Sequence, residues 1–232
     1  MKILGISGSP RSDKKSGCYK LTKAVLEATG MEYELISLRG KDIKGCTACL
    51  KCVEDNVCVL KDDMADIRQK LVEADAFVIG GPNYYAGLSA TMHAFLERMY
   101  QFRHREVDTL WGKLMVAVGV GGGDGEIVTE EIERFMGYRL VETVAKVAGQ
   151  GEACCFSCGY GETCKVGRIY RTHGEGFKIT EDTTPDISKQ PKVLAEAEKA
   201  GNLLGERLAN HSREDVTRKM IKKMNEKFKK LK

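Results

Sequence analysis

Apolar residues along the first two-thirds of the chain follow two alternating rhythms. Short apolar runs at Lys2–Ser7 (KILGIS), 76–81 (AFVIGG) and 113–120 (KLMVAVGV) predict buried strands, each followed by a turn rich in Gly, Ser or Pro. Residues 32–38 (EYELISL) alternate and predict another strand; 140–148 (LVETVAKVA) predict a fifth, with Lys146 marking it as an edge candidate. Between them the apolar spacing turns helical. Residues 17–29 place Leu21, Val25 and Ala28 on one face, and 62–73 do the same with Met64, Ile67 and Leu71. Residues 89–102 start at an N-cap serine and carry Met92, Phe95, Leu96 and Met99; further helices fall near 126–136 and over 191–210. Strands alternating with helices predict an α/β fold, a five-stranded parallel sheet with helices on both faces. Ligands of such sheets bind outside the carboxyl ends of the strands. Three of those ends, 8–18, 81–87 and 121–125, are therefore expected to converge on one site.

Two segments stand outside this rhythm. Residues 150–184 are rich in Gly, Cys and Thr without a clear period and predict an irregular Cys-rich insert. Residues 211–232 form a basic helical tail, with Val216, Met220, Met224, Phe228 and Leu231 at helical spacing. The expected organisation is one domain over 1–210, with a cysteine loop at 45–59 and the insert, followed by that tail. Within 212–232 nine Lys/Arg face three Asp/Glu, a local +6; the whole chain is +4, so the body is mildly acidic. That argues against a nucleic-acid-binding core. The tail reads either as a solvated helix packed along the body or as a docking surface for an acidic partner. No run approaches the 18 apolar residues of a membrane span, and the first residues are too short and polar for a signal sequence. A cytoplasmic location is expected, where nine cysteines read as metal or redox ligands.

The chemistry concentrates in the cysteines. Cys46, Cys49, Cys52 and Cys58 follow C-x2-C-x2-C-x5-C. Short C-x2-C steps let a loop wrap a cubane [4Fe–4S] cluster held by four thiolates. Zinc is the competing reading, although its structural sites more often pair two separated knuckles. Disulfides belong to small secreted domains. A second group, Cys154, Cys155, Cys158 and Cys164, repeats the x2 and x5 steps of the first. It reads as a second iron–sulfur cluster, a zinc site or incidental thiols, and adjacent Cys154 and Cys155 rarely serve one metal together. His173 is an alternative ligand there; His93, His104 and His211 read as surface or packing residues in helical surroundings.

The first loop, SGSPRSDKKSGCYK, offers hydroxyls (Ser7, Ser9, Ser12, Ser16), cations (Arg11, Lys14, Lys15) and a helix start. That combination suits a phosphate monoester; an ordinary βα turn has the same look. It is neither a Walker A loop nor GxGxxG. The second loop, GGPNYYAGLSA, presents Asn83, Tyr84 and Tyr85 to stack on or hydrogen-bond a planar ring, or packs its tyrosines on the next helix. The third, GVGGGDGE, allows close backbone approach to a ligand.

SGSPR, GGPNYY and GVGGG, each after a buried strand, resemble the flavodoxin-like NADPH-dependent FMN reductase superfamily. The C-x2-C-x2-C-x5-C run resembles its iron–sulfur flavoprotein branch, found in methanogenic archaea and other anaerobes. The resemblance covers about residues 1–150 and the 191–210 helix. It implies FMN phosphate held by Ser9, Arg11, Ser16, Gly17 and Cys18, and the ring held by Pro82, Asn83, Tyr84, Tyr85, Gly87, Gly121, Gly122 and Gly123. It also implies a dimer or tetramer. The chain departs from the pattern at Cys18, where Thr or Ser is usual, and a thiol is a poor donor to phosphate. The implied function is electron transfer from a ferredoxin-like donor to an acceptor through [4Fe–4S] and FMN. The alternatives are an NAD(P)H-dependent FMN or quinone reductase, and a non-catalytic metal–thiol sensor on the same scaffold. No acid–base dyad or nucleophile is evident, so no catalytic side chain is assigned.

Overall fold

The computed structural model describes residues 1–105, 107–123 and 125–229; Asp124 of the third loop and Lys230, Leu231 and Lys232 of the tail lie outside them. The sheet strands are β1 (Lys2–Ser7), β2 (Glu32–Ser37), β3 (Ala76–Pro82), β4 (Leu114–Gly121) and β5 (Glu142–Gln150). All pair in parallel, in the order β2-β1-β3-β4-β5. This is the flavodoxin order, with the switch point at β1 and β3. β5 is an edge, as Lys146 suggested, and that lysine is exposed and pairs with Glu133 at 3.3 Å.

The helices are α1 (Gly17–Ala28), α2 (Met64–Glu73), α3 (Ala90–Glu97), α4 (Glu126–Gly137), α5 (Arg168–His173), α6 (Pro191–Ala209) and α7 (Arg213–Lys229). Strand residues alternate between two cores because successive side chains point to opposite faces. Leu4, Phe77 and Met115 join the face covered by α2, α3 and α4. Ile3, Val78 and Val116 join the face covered by α1, α6 and α7. Both faces of β3 and β4 are buried, which is why these strands read as continuous apolar runs rather than alternating ones.

Close approach fixes the α1–α6 pair. A Cβ added at Gly201 would lie 2.4 Å from the Val25 carbonyl oxygen, and one at Gly205 would lie 2.6 Å from that of Thr29. The tail is not detached. Val216 and Met220 of α7 are buried in the second core, and Glu142 of β5 accepts from Arg207 at 3.0 Å and Lys219 at 2.6 Å. The expected helix over 89–102 splits into α3 and a 3-10 segment, Arg98–Phe102. His104 does not sit on a helix: Arg103–His104 pairs antiparallel with Val107–Asp108. No helix among the described residues is long and apolar enough to cross a membrane.

Candidate functional site

The three loops expected to meet do meet. They border a cleft of about 480 Å³ at the carboxyl ends of β1, β3 and β4. Ser9, Arg11, Gly17, Cys18, Pro82, Asn83, Tyr84, Tyr85, Gly121 and Gly122 line it. The Gly8 N–H donates to the Gly80 carbonyl at 2.8 Å, and Asn83 N–H donates to that of Val120 at 2.8 Å, so neighbouring strands hold the first two loops in place. Ser89, the N-cap of α3, donates its hydroxyl to the Gly8 carbonyl at 3.1 Å.

Three named residues lie outside the lining. Ser16 is buried and caps α1, its hydroxyl accepting from Tyr19 N–H at 3.0 Å. Its part is to fix the helix start, whose first N–H groups have no intrahelical acceptor. Gly87 closes the second loop, exchanging hydrogen bonds with Tyr84. Gly123 sits against the Arg168 guanidinium, 2.7 Å from where its Cβ would stand. Cys18 borders the cleft, but burial pushes its thiol up to about 11 against hydrogen bonds led by Ser7, so it stays neutral.

The insert supplies the rest of the wall: Gly151, Glu152, Ala153, Cys154, Cys155 and Arg168. Sequence periodicity had no hold on these. Glu152 forms an ion pair with Arg11 at 3.0 Å, tying the insert to the first loop. Burial would raise the Asp186 carboxyl, but Lys20 and the Ser188 N–H and hydroxyl outweigh it and hold the group at about 2. A phosphate monoester joined to a planar ring suits this cleft. Its volume lies in the usual ligand range of roughly 300–1,000 Å³. It offers a guanidinium and a helix start at one side. At the other, Gly122 packs closely on the insert, 3.0 Å separating an added Cβ from that of Ala153.

The cysteine loop is a second constellation, carried by the end of α3. Positive φ at Ala48, Leu50 and Asn56 turns it back on itself. Glu97 accepts from Cys46 N–H at 3.0 Å, and the Gln101 side-chain carbonyl accepts from Cys58 N–H at 3.1 Å. Arg98 donates to Asp62 at 2.5 and 3.1 Å and to the Lys44 carbonyl at 3.0 Å, with both charged side chains almost wholly buried. Burial would raise Asp62, yet Arg98 holds it below the usual carboxylate range.

The thiols share one neighbourhood. Cys52 is buried, 3.4 Å from His104 Nε2; burial, then repulsion from Cys58, Cys46 and Cys49, raises its thiol. The Lys51 backbone N–H and the Thr47 side chain lower Cys49. Cys52 within electrostatic reach of the other three thiols, an N–H aimed at Cys49 and a guanidinium beside Cys58 are chemistry that suits a thiolate-held cluster. As placed, no three His, Cys, Asp or Glu side chains among the described residues are gathered tightly enough for an ion. Nothing in the sequence pattern marks Asp62 or Arg98, and it gives His104 only a surface or packing role. Arg98 falls on an apparent helix beside apolar residues, and nothing local marks its partner 36 positions away.

Residues 1–145 match the family described as NADPH-dependent FMN reductase. An "Iron-sulfur flavoprotein" of Archaeoglobus fulgidus is 35% identical over 199 residues, 84% of this chain and 95% of that one. Another from the same organism is 36% identical over 139 residues, 59% of this chain and 60% of that one. Among solved structures a flavone reductase superposes with a TM-score of 0.57 at 17% identity, over 90% of this chain and 63% of that one, a likeness of fold. The chain belongs to the NADPH-dependent FMN reductase family, among its iron–sulfur flavoproteins, and is an FMN-dependent oxidoreductase.

Proposed function

We propose that the chain passes electrons from a ferredoxin-like donor to an acceptor, with FMN in the cleft and a [4Fe–4S] cluster on Cys46, Cys49, Cys52 and Cys58. The supporting observation is the shared use of α3. Its start is capped onto the first loop through Ser89, and the residues at its end hold the cysteine loop through Glu97, Arg98 and Gln101. Eight helical residues span about 12 Å, so one rigid element spaces the two sites. When bound, the two groups supply single-electron exchange and a two-electron store. Ser9, Arg11 and Gly17 would hold the phosphate at the α1 start, which Ser16 fixes. Pro82, Asn83, Tyr84, Gly121 and Gly122 would border the ring. Arg98, the Lys51 N–H and His104 would stabilise the thiolates.

Anaerobically prepared protein is expected to contain FMN, iron and acid-labile sulfide; full zinc occupancy without sulfide would end the cluster reading. Arg11→Ala is expected to weaken FMN about tenfold or more and riboflavin hardly at all, because a charge-assisted hydrogen bond is worth about 1.5–3 kcal/mol. Equal weakening of both in a binding titration would remove Arg11 from the phosphate site.

The matched family favours a second reading, direct reduction by NADPH. Rapid NADPH oxidation by the loaded protein in anaerobic buffer would select it over a ferredoxin-like donor. We further infer a homo-oligomer. Leu50, Val53, Val57 and Val59 of the cysteine loop are exposed apolar residues, and Tyr85 stands fully exposed beside the cleft at φ +53. A monomer by light scattering would refute this.

The basic face of α7 supports docking of an acidic donor. Lys222→Gln, Lys223→Gln and Lys229→Gln together are expected to slow reduction by ferredoxin and flatten its salt dependence, since exposed charges are screened over about 8–10 Å. An unchanged rate and salt slope would place docking elsewhere.

A further inference from the structure

Among the described residues three charged side chains line the cleft: Arg11, Glu152 and Arg168. Arg11 and Glu152 neutralise each other at 3.0 Å. Arg168 is different. Among the described residues its guanidinium has no carboxylate partner and no hydrogen-bond acceptor. The described wall therefore keeps one uncompensated positive charge, and that charge comes from the insert. An arginine stays charged at any working pH. Its base is pinned. The Arg168 N–H donates to Cys155 Sγ at 3.3 Å, and the next residue, Ile169, is buried at 2% exposure.

The guanidinium rests on the third loop. A Cβ added at Gly123 would stand 2.7 Å from Nη2, 3.3 Å from Nη1 and 3.5 Å from Cζ, and one at Gly122 would stand 3.3 Å from Nη1. Glycine at position 123 lets the flat group approach the backbone this closely. The loop is tied to the insert as well, since the Gln150 side chain donates to the Gly122 carbonyl at 3.2 Å. Arg11 and the α1 start form the phosphate side of the cleft, whereas Gly121 and Gly122 border the place proposed for the ring. The paired cation thus stands at the phosphate end and the unpaired one at the ring end.

We infer that Arg168 offsets the negative charge a flavin ring gains on reduction, and so raises the reduction potential of FMN in this cleft. The inference rests on FMN binding there as proposed above. Two electrons from the donor and one proton from water convert the neutral oxidised ring to a hydroquinone anion. A fixed cation beside the ring favours that anion over the oxidised form, and only such a difference in affinity shifts the equilibrium. The side chain is exposed, so water screens its charge. The low end of the range for charge-assisted hydrogen bonds, about tenfold in favour of the reduced form, is therefore expected.

Anaerobic potentiometric titration of the FMN-loaded full chain is the test. Arg168→Gln is expected to lower the two-electron midpoint of the flavin by about 30 mV, the equivalent of a tenfold ratio, while oxidised FMN stays bound nearly as tightly. Arg168→Lys should recover most of the loss. The pH profile gives a second readout. Without the cation the reduced ring holds its second proton to higher pH, so the break from two protons to one per electron pair should move up in Arg168→Gln. A purely structural part would weaken both redox forms alike and move neither midpoint nor break. Asp124 follows Gly123 in sequence and lies outside the described residues; Asp124→Asn should not lower the midpoint. The inference is overturned if Arg168→Gln keeps the wild-type midpoint and break, or if Arg168→Lys falls as far as Arg168→Gln. A chain that binds no FMN would overturn this inference and the reading beneath it, whereas FMN bound with a midpoint indifferent to Arg168 would overturn the inference alone.

Discussion

Arg98→Met is expected to cost about 3–5 kcal/mol of folding stability, because it leaves the Asp62 carboxylate buried without its cation. The two side chains are 1% and 0% exposed, and Arg98 also serves the Lys44 carbonyl. Urea unfolding measures the loss. Adding Asp62→Asn should recover much of it, since the stranded charge is then gone; a single-variant loss under about 1 kcal/mol, the size of an exposed pair, would sink the argument. The pH dependence has a defined sign. Asp62 is depressed in the folded chain, so the pair's contribution is complete above the ordinary carboxyl value of 3.8 and fades as pH falls through the lower folded value. In the variant the isolated carboxyl is raised instead. The stability gap between the two proteins should therefore be widest near neutrality, narrow as pH falls through the variant's raised carboxyl value, and stop narrowing only below the depressed value of the paired Asp62.

Cys52→Ala is expected to empty the first cysteine loop of iron. Cys52 is the buried member of the set, close enough to Cys46, Cys49 and Cys58 for all three to raise its thiol, and it touches His104. A cluster deprived of this ligand has only the three more exposed thiols left. The measurement belongs in a background lacking Cys155, Cys158 and Cys164, where iron and sulfide should fall to near zero while FMN stays. Iron surviving at wild-type level in that background would remove Cys52 from the ligand set.

The middle of the sheet was legible because its strands are buried on both faces. KILGIS, AFVIGG and KLMVAVGV admit few other readings once helical stripes separate them. β5 begins two residues later than its apolar run suggested. Leu140 takes φ +53, and parallel pairing starts at Glu142 opposite Leu114. α5 went unseen because it is six residues long and buries only Ile169, too little to leave a stripe. The glycine and serine loops of the cleft were visible, since turn chemistry is local. Glu152, Arg168, Asp62, Arg98 and His104 were not. Each matters through a contact made by tertiary folding, Arg98 to Asp62 across 36 positions and Arg11 to Glu152 across 141, and such contacts leave no periodic trace.

With FMN phosphate at Arg11 as proposed, the Arg11–Glu152 pair sets two anions in competition for one guanidinium. A dianion entering at the start of α1 must share Arg11 with the insert's carboxylate or displace it. Linkage then makes the two events reciprocal: whatever free energy the carboxylate withholds from the incoming dianion, the dianion withholds from the insert's hold on the first loop. Loading of the cleft and anchoring of its outer wall thus form one coupled equilibrium, and Glu152→Gln, which removes the rival charge, would tighten the first while slackening the second.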